Sequence, residues 1–417
     1  MATKSIADIN VTGKRVFMRV DFNCPIADGK VTNDRRIEMA LPSIQRVLEQ
    51  GGKLVLASHL GRPKGKGFEE EFSLAPVANR ISELIGRPVV LGPQDVAGPD
   101  AESAAAAMND GDVLLLENVR FHAGETMPDK AKKNDDGKLT DEQLAIHEAF
   151  VADLAKLGEV YVNDAFGTCH RKHASMYGVA VAIKAAGGPA VAGFLVEKEI
   201  RYLYETVTDP KRPFVAIMGG AKVSDKIKLI DSLLAKVDTL IIGGGMAYTL
   251  LKALGHTVGD SLLEEDQVEK MKEILDRDGD KILLPVDFVC TEEFTSDETT
   301  PVDSRDIPGH LMGLDCGPKT IASFSDAIRG AATIVWNGPV GVFEREAYAE
   351  GTRAVAQAIA EATDNGAVSV IGGGDSAAAV EQFGFEDRMS HISTGGGASL
   401  TYLEGKAMPP IDVLDQA

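Results

Sequence analysis

Two sets of residues in this chain of 417 could do chemistry, and they differ in kind. In the first half, short apolar runs end in charged segments: RVDFN (19–23), ASHLGRP (57–63), LENVRFH (116–122) and NDAFGTCHRKH (163–173). Arg19, Arg36, His59, Arg62, Arg120, His122, Arg171 and His173 lie in or near these endings, with Asp21 and Asn23 among them. An arginine on a loop held by a strand can meet a phosphate or carboxylate in a fixed, bidentate geometry. Taken singly, each reads equally well as a surface ion pair. The set does not, because it is confined to one half of a chain whose net charge is −20. His59, His122, His170 and His173 read as structural hydrogen-bonding residues, and none is assigned proton transfer.

In the second half the endings are glycines: IMGGAK (217–222), IIGGGMA (241–247), VWNGPVG (335–341), VIGGGDS (370–376) and STGGGAS (393–399). Glycine after a strand lets backbone N–H groups approach a phosphate, and the helix that follows adds its positive end. Lys222 and Lys226, in GGAKVSDK, are spaced one helical turn apart and could face the same phosphates, or simply solvate a helix start. Asp375 is a hard oxygen ligand where nucleotide phosphates would bring magnesium; it also reads as a helix N-cap. Glu344 could hydrogen-bond ribose hydroxyls or be an exposed acid at a helix start. No Walker A motif is present, so phosphoryl transfer here would not be of the P-loop kind. GGGDSA (372–377) does fit G-x-G-x-x-A, which keeps a nicotinamide oxidoreductase as a competitor. The acid that fingerprint wants about 20 residues on is replaced by HISTGGG.

Positioning these residues requires two sheets. Apolar, β-branched runs alternate with helical patterns, the mark of parallel strands joined by crossover helices. Strands are expected at 15–22, 54–58, 89–91, 113–117 and 160–163, then at 214–218, 239–242, 282–285, 333–336, 368–371 and 391–393. Helices include 38–50 and 74–84. At 44% hydrophobic the chain can fill two cores. The linker is expected near Gly187 to Pro189, opening a long amphipathic helix that suits an interdomain connector. The stretch from Thr126 to Glu148 reads as a loop-like surface excursion. Two unlike rims imply two ligands, one per domain.

The acidic balance excludes nucleic acid as a partner, since phosphate backbones are bound by clustered Lys and Arg. Cys24, Cys169, Cys290 and Cys316 have neither zinc nor redox spacing. Without a signal-like N-terminus or a membrane span, the chain reads as cytoplasmic.

The motifs RVDFN, SHLGRP, LENVRF, NDAFGTCHR, GGAKVSDK, GGGMA, WNGPVGVFE, GGGDS and STGGGAS, in this order from residue 19 to residue 399, closely resemble the phosphoglycerate kinase family. The resemblance implies an α/β chain of two Rossmann-like domains, each a mainly parallel sheet flanked by helices, joined by a hinge helix. Residues 1–188 would bind phosphoglycerate, with 404–417 packing back on them, and 189–403 would bind nucleotide. It implies a monomeric phosphotransferase with a carboxyl acceptor, moving a phosphoryl group reversibly from 1,3-bisphosphoglycerate to MgADP to give 3-phosphoglycerate and MgATP. Asp21, Asn23, Arg36, His59, Arg62, Arg120 and Arg171 would hold the phosphoglycerate. Lys222, Lys226, Asn337, Ser376 and Gly372 to Gly374 would meet the nucleotide, with Glu344 on its ribose and Asp375 on magnesium. Gly243 to Gly245 and Leu314 would border the adenine, and Gly395 to Gly397 would line the phosphate path. Arg36, Lys222, Gly373 and Gly396 would be catalytic. The stretch 126–148 is longer than the family usually carries and is expected to leave the chemistry alone.

The residues fit this chemistry on one independent point. A carboxylate nucleophile, with a pKa near roughly 3.5, is ionised already and needs no general base, and none is found. Charge neutralisation and in-line positioning remain, tasks for Arg, Lys, a metal ion and backbone N–H groups. A third reading is a protein that binds such anions without catalysis.

Overall fold

The computed structural model describes residues 3–417 apart from 135, with backbone alone at 204, 205 and 207. The chain forms two compact units, residues 1–200 with 407–417, and residues 201–406.

The first unit is built on six parallel strands: Arg15–Val20 (β1), Lys53–Ala57 (β2), Val89–Leu91 (β3), Val113–Leu115 (β4), Val160–Asp164 (β5) and Ala190–Ala192 (β6). Their spatial order is β3-β4-β2-β1-β5-β6. Strands covered on both faces read as unbroken apolar runs, and VFM and LVLA are buried throughout. The helix Arg35–Glu49 lays Ile37, Ala40, Ile44 and Val47 on this sheet at helical spacing. That fixes Arg36 in the first turn, at the carboxyl end of β1. The last residues belong here too: Asp415 accepts from the Lys4 N–H at 2.8 Å and donates to the Ala190 carbonyl at 2.7 Å.

The second unit carries Phe214–Met218 (β7), Thr239–Ile242 (β8), Ile282–Leu283 (β9), Thr333–Asn337 (β10), Val368–Gly372 (β11) and His391–Ile392 (β12). They run parallel in the order β9-β8-β7-β10-β11-β12. This is the doubly wound order, and it places a topological switch point between β7 and β10. Its core is centred on the fully buried Trp336.

Several expectations need correcting. The chain does not loosen at Gly187 to Pro189 before leaving the first unit: Ala190–Ala192 first pairs with Tyr161 to Asn163 as β6. Three residues, two of them Ala, carry no alternation that would reveal a strand. A three-stranded antiparallel sheet, Phe288–Thr291, Thr300–Val302 and Met312–Cys316, was also hidden, because its edge strand Thr300–Val302 lies in the polar run SDETTPVDS. The stretch 126–148 is not loop-like. It holds a 3-10 helix at Met127–Lys133 and opens the α-helix Asp141–Ala155, which buries Phe150 and Leu154. The signal was present: Thr140 and Gln143 form a capping box. Residue 135 lies outside the described residues. No described helix is long and apolar enough to cross a membrane, and all four cysteines are buried free thiols.

Candidate active site

The basic rim gathers at the carboxyl ends of β1, β2 and β4. Asn23 accepts from the Gly61 N–H through Oδ1 at 2.8 Å, and the carbonyl of Gly61 accepts from Arg120 at 2.7 Å. Gly61 is obligatory as this node, because its φ is +58° and a Cβ there would lie 2.5 Å from the Phe72 ring. Arg36 donates to Asp21 Oδ2 at 2.5 Å. Burial acts to raise the Asp21 carboxyl, but the charges of Arg36 and Arg19 and the Asn23 N–H act against it, and the carboxyl lies below its ordinary value. Arg62 is exposed.

Arg19 does not belong on the rim. It is fully buried, donating through Nε to Ser175 Oγ at 2.8 Å and facing His59 Nδ1 at 3.2 Å. A guanidinium only donates, so His59 Nδ1 accepts and any ring proton sits on Nε2. Burial, then the positive charge of Arg19 and Arg120, push the His59 pKa well below its ordinary value, against the pull of Asp21. His59 is therefore a neutral hydrogen-bonding residue at pH 7. Burial, then Arg19 and Arg171, lower the Arg120 pKa to about 10 although Glu125 and Asp21 oppose them. Its Nε is buried with no protein partner.

Arg171 follows β5. Its Nε donates to His170 Nε2 at 3.0 Å and its terminal nitrogen to Asp129 Oδ2 at 3.1 Å. Asp129 lies in the stretch 126–148, so the stretch expected to be a surface excursion reaches Arg171 of the NDAFGTCHR motif. Behind it, the buried His173, Glu125 and Ser175 extend the polar chain to Arg19. Sequence reasoning missed Glu125 and Asp129. Their signal was two acids close after LENVRFH, in a segment discounted as surface.

The second rim lies at the switch point. Lys226 Nζ donates to the carbonyl of Gly219 at 2.7 Å and to Asn337 Oδ1 at 2.7 Å, with the Asn337 carbonyl at 3.1 Å. Burial lowers its pKa to about 8, and Asp375 and Asp225 work in the opposite direction. Asn337 is 3% exposed, and its Nδ2 has no acceptor. Lys222 does not share this position. Both lysines lie in the irregular segment before the helix Ile227–Leu234 rather than on one helical face, and Lys222 is exposed.

The glycines divide into two kinds, which the sequence did not separate. Gly219, Gly220, Gly243 and Gly244 spend their N–H groups on the carbonyls of Asn337, Pro339, Met218 and Val340. They are there for close packing: a Cβ on Gly219 would lie 2.0 Å from the Pro339 carbonyl oxygen. Gly373 and Gly374 instead open the helix Gly374–Gln382, where no side chain caps the first turn and the leading N–H groups lack helical partners. Its N-cap is Gly373, so Asp375 is not the cap but an exposed carboxylate in the first turn. Ser376 Oγ, buried, accepts from the Gly338 N–H at 2.6 Å. Leu314 is nearly buried on Met312–Cys316. Glu344 is exposed in a turn, and Gly396, with φ +47°, precedes the helix Gly397–Leu403. The described residues contain no cluster of three or more metal-ligating side chains. A lone carboxylate beside free helix N–H groups suits a hard cation carried in by phosphates, not one held by the protein alone. A cavity of about 470 Å³ at Asp34, Asn79 and Arg80 contains none of these residues, and Arg80 there pairs with Asp34 and Glu83.

A cation-lined rim on one parallel sheet, and a lysine with an uncapped helix start on another, define a two-domain α/β phosphotransferase outside the P-loop class. The model of the family Phosphoglycerate kinase matches residues 6–406. Phosphoglycerate kinases of Lactobacillus acidophilus and Clostridium novyi are 52% and 53% identical, each alignment covering 99% of this chain and 98% of the relative. The solved phosphoglycerate kinase of Coxiella burnetii superposes with a TM-score of 0.86 at 39% identity, and that of Pyrococcus horikoshii with 0.79 at 32%, each over 99% of this chain and 98% of the other. The chain belongs to the phosphoglycerate kinase family. It is a kinase with a carboxyl acceptor and catalyses the reversible phosphoryl transfer of glycolysis, which sets aside the oxidoreductase and the non-catalytic binder.

Proposed function

We propose that the two rims divide the substrates. Asp21, Asn23, Arg36, His59, Arg62, Arg120 and Arg171 hold 3-phosphoglycerate or 1,3-bisphosphoglycerate on the first unit. Lys222, Lys226, Asn337, Glu344, Leu314, the glycines at 243–244 and 372–374, and Ser376 hold ADP or ATP on the second, with Asp375 on magnesium. The observation that carries this reading is the buried Arg120 Nε, which has no acceptor in the protein and stands among the like charges of Arg19 and Arg171, so that a donor is left for an anion.

Magnesium, when bound, neutralises phosphate charge and orients the transferring group. The remaining work belongs to the chain. Arg36 aims at the reacting carboxylate, which is ionised at neutral pH and needs no proton removed. Lys222 and the N–H groups at Gly373 and Gly396 neutralise charge on the group in flight, favouring direct in-line transfer. Hinge closure brings the ligands together and excludes water that would hydrolyse an acyl phosphate. The same reading takes the chain as a cytoplasmic monomer.

The test is magnesium-dependent phosphorylation of 3-phosphoglycerate by ATP, with Arg120→Ala alongside. Activity in the wild type and a KM for 3-phosphoglycerate raised about tenfold or more in the variant fit the loss of a charge-assisted contact. An unchanged KM removes Arg120, and with it the assignment of this rim. Scattering that shows no compaction with both ligands bound removes the closure step.

A further inference from the structure

We propose that Asp129 is a positioning residue for this reaction, fixing the Arg171 guanidinium in the orientation in which it meets the phosphoglycerate. The inference rests on the substrate role given to Arg171 above.

Arg171 is 40% exposed, and an arginine on a loop samples many rotamers unless held. Here it is held at two points. Nε donates to His170 Nε2, so that ring nitrogen is an acceptor, and one terminal nitrogen donates to Asp129 Oδ2. The other terminal nitrogen is left over for an anion. Two hydrogen bonds in the plane of a guanidinium fix that plane, and so the direction in which the remaining N–H groups point.

Asp129 can do this because it is held from behind. The same Oδ2 lies 3.0 Å from Nε2 of His173, a ring with no exposure at all. His173 Nδ1 stands 3.8 Å from Glu125 Oε1, and Glu125 accepts from Ser175 Oγ and Ser175 N at 2.7 and 2.9 Å. Ser175 Oγ in turn accepts from Arg19, which reaches His59. Asp129 is thus backed by the buried His173 ring, whose Nδ1 makes no hydrogen bond, and beyond that gap lie the hydrogen-bonded Glu125, Ser175 and Arg19. The hydrogen bond from His173, together with the charges of His173, Arg171 and Lys132, outweighs burial and holds the Asp129 pKa at about 2, so it stays anionic over the working range. Asp21 and Asp129 are the rim's two carboxylates, against Arg36, Arg62, Arg120 and Arg171, so the rim stays net positive. Asp129 therefore orients without cancelling the site's attraction for an anion.

Steady-state kinetics on the full chain test this with Asp129→Asn, Asp129→Glu, Arg171→Ala and the double variant. Asp129→Asn is expected to raise KM for 3-phosphoglycerate about tenfold, the loss of one charge-assisted hydrogen bond, while kcat and KM for ATP stay within about twofold. Asp129→Glu recovers most of the loss, and Asp129→Asn adds nothing in the Arg171→Ala background. A KM that falls, stays unchanged, or rises equally for ATP overturns the proposal, as does a full Asp129→Asn penalty without Arg171. If Arg171→Ala raises KM and Asp129→Asn does not, the positioning role alone fails. If Arg171→Ala leaves KM unchanged, the substrate role of Arg171 fails with it. Should Asp129→Asn not fold, Asp129→Ser keeps an acceptor for His173 without the charge and is read in the same way.

Discussion

The ammonium of Lys226 donates to Oδ1 of Asn337 at 2.7 Å, across the switch point where β7 and β10 part. This bond holds a cation where the doubly wound order opens its crevice, and burial there lowers the lysine to about 8. Lys226 is thus charged at pH 7 and loses its proton as the pH rises through 8. With nucleotide phosphates as its ligand, KM for ATP should be flat below pH 7 and rise about tenfold by pH 9, where roughly a tenth of the lysine is charged. Lys226→Arg should flatten the profile. Initial rates from pH 6 to 9 check both; an equal rise in the arginine variant would remove Lys226 from nucleotide binding.

The glycines that pack the two loops together should respond differently from those that open a helix. Gly219→Ala sets a methyl against the backbone of Pro339, which cannot rotate away, and should cost about 3 kcal/mol or more. At Gly374 a Cβ meets nothing within 4 Å, and Gly374→Ala should change stability by no more than about 1 kcal/mol. Thermal unfolding of the two variants separates them. Equal melting temperatures would mean that the β7 and β10 loops are not locked as described.

Asp164 is buried at the end of β5, where Oδ1 accepts from Leu195 N at 2.9 Å and Val196 N at 3.3 Å at the start of the helix Phe194–Thr208. Oδ2 has no partner, and burial raises the carboxyl to about 7. The folded state therefore keeps a proton that the unfolded chain releases near pH 4. Its contribution to stability is full below pH 4 and is lost as the pH climbs toward 7. Asp164→Asn keeps the helix-capping oxygen and should reduce the decline between pH 4.5 and 7 by a few kcal/mol, on the order of 1.4 per pKa unit. Denaturant titrations across this range measure it. Asp315, also raised to about 7 by burial, leaves part of the decline in place. A variant that declines as steeply as the wild type would show Asp164 to be ionised when folded.

The sheets were legible because doubly covered strands such as Phe214–Met218 are unbroken apolar runs, whereas Ala190–Ala192 is too short and Thr300–Val302 too polar to show. Arg36, Arg120 and Lys226 could be found because a charged residue after a strand is conspicuous. Glycine is ambiguous in sequence: both backbone packing at Gly219 and an open helix start at Gly374 select it, and only the N–H partners tell them apart. Arg19 was misread because RVDFN reads whole as the charged ending of a strand, while the groups that satisfy its guanidinium, Ser175 and His59, are far away in sequence. Asp129 was invisible for the same reason, since its meaning comes from Arg171 and His173, more than forty residues on.

The proposed division gives each rim one substrate. It is tested most directly by calorimetric titration of 3-phosphoglycerate and of MgADP, separately, into the wild type, Arg120→Ala and Lys226→Met. Arg120→Ala should weaken 3-phosphoglycerate about tenfold or more and leave MgADP within about twofold, and Lys226→Met should do the reverse. Either variant weakening both ligands equally, or the wrong one, would contradict the division of the two rims.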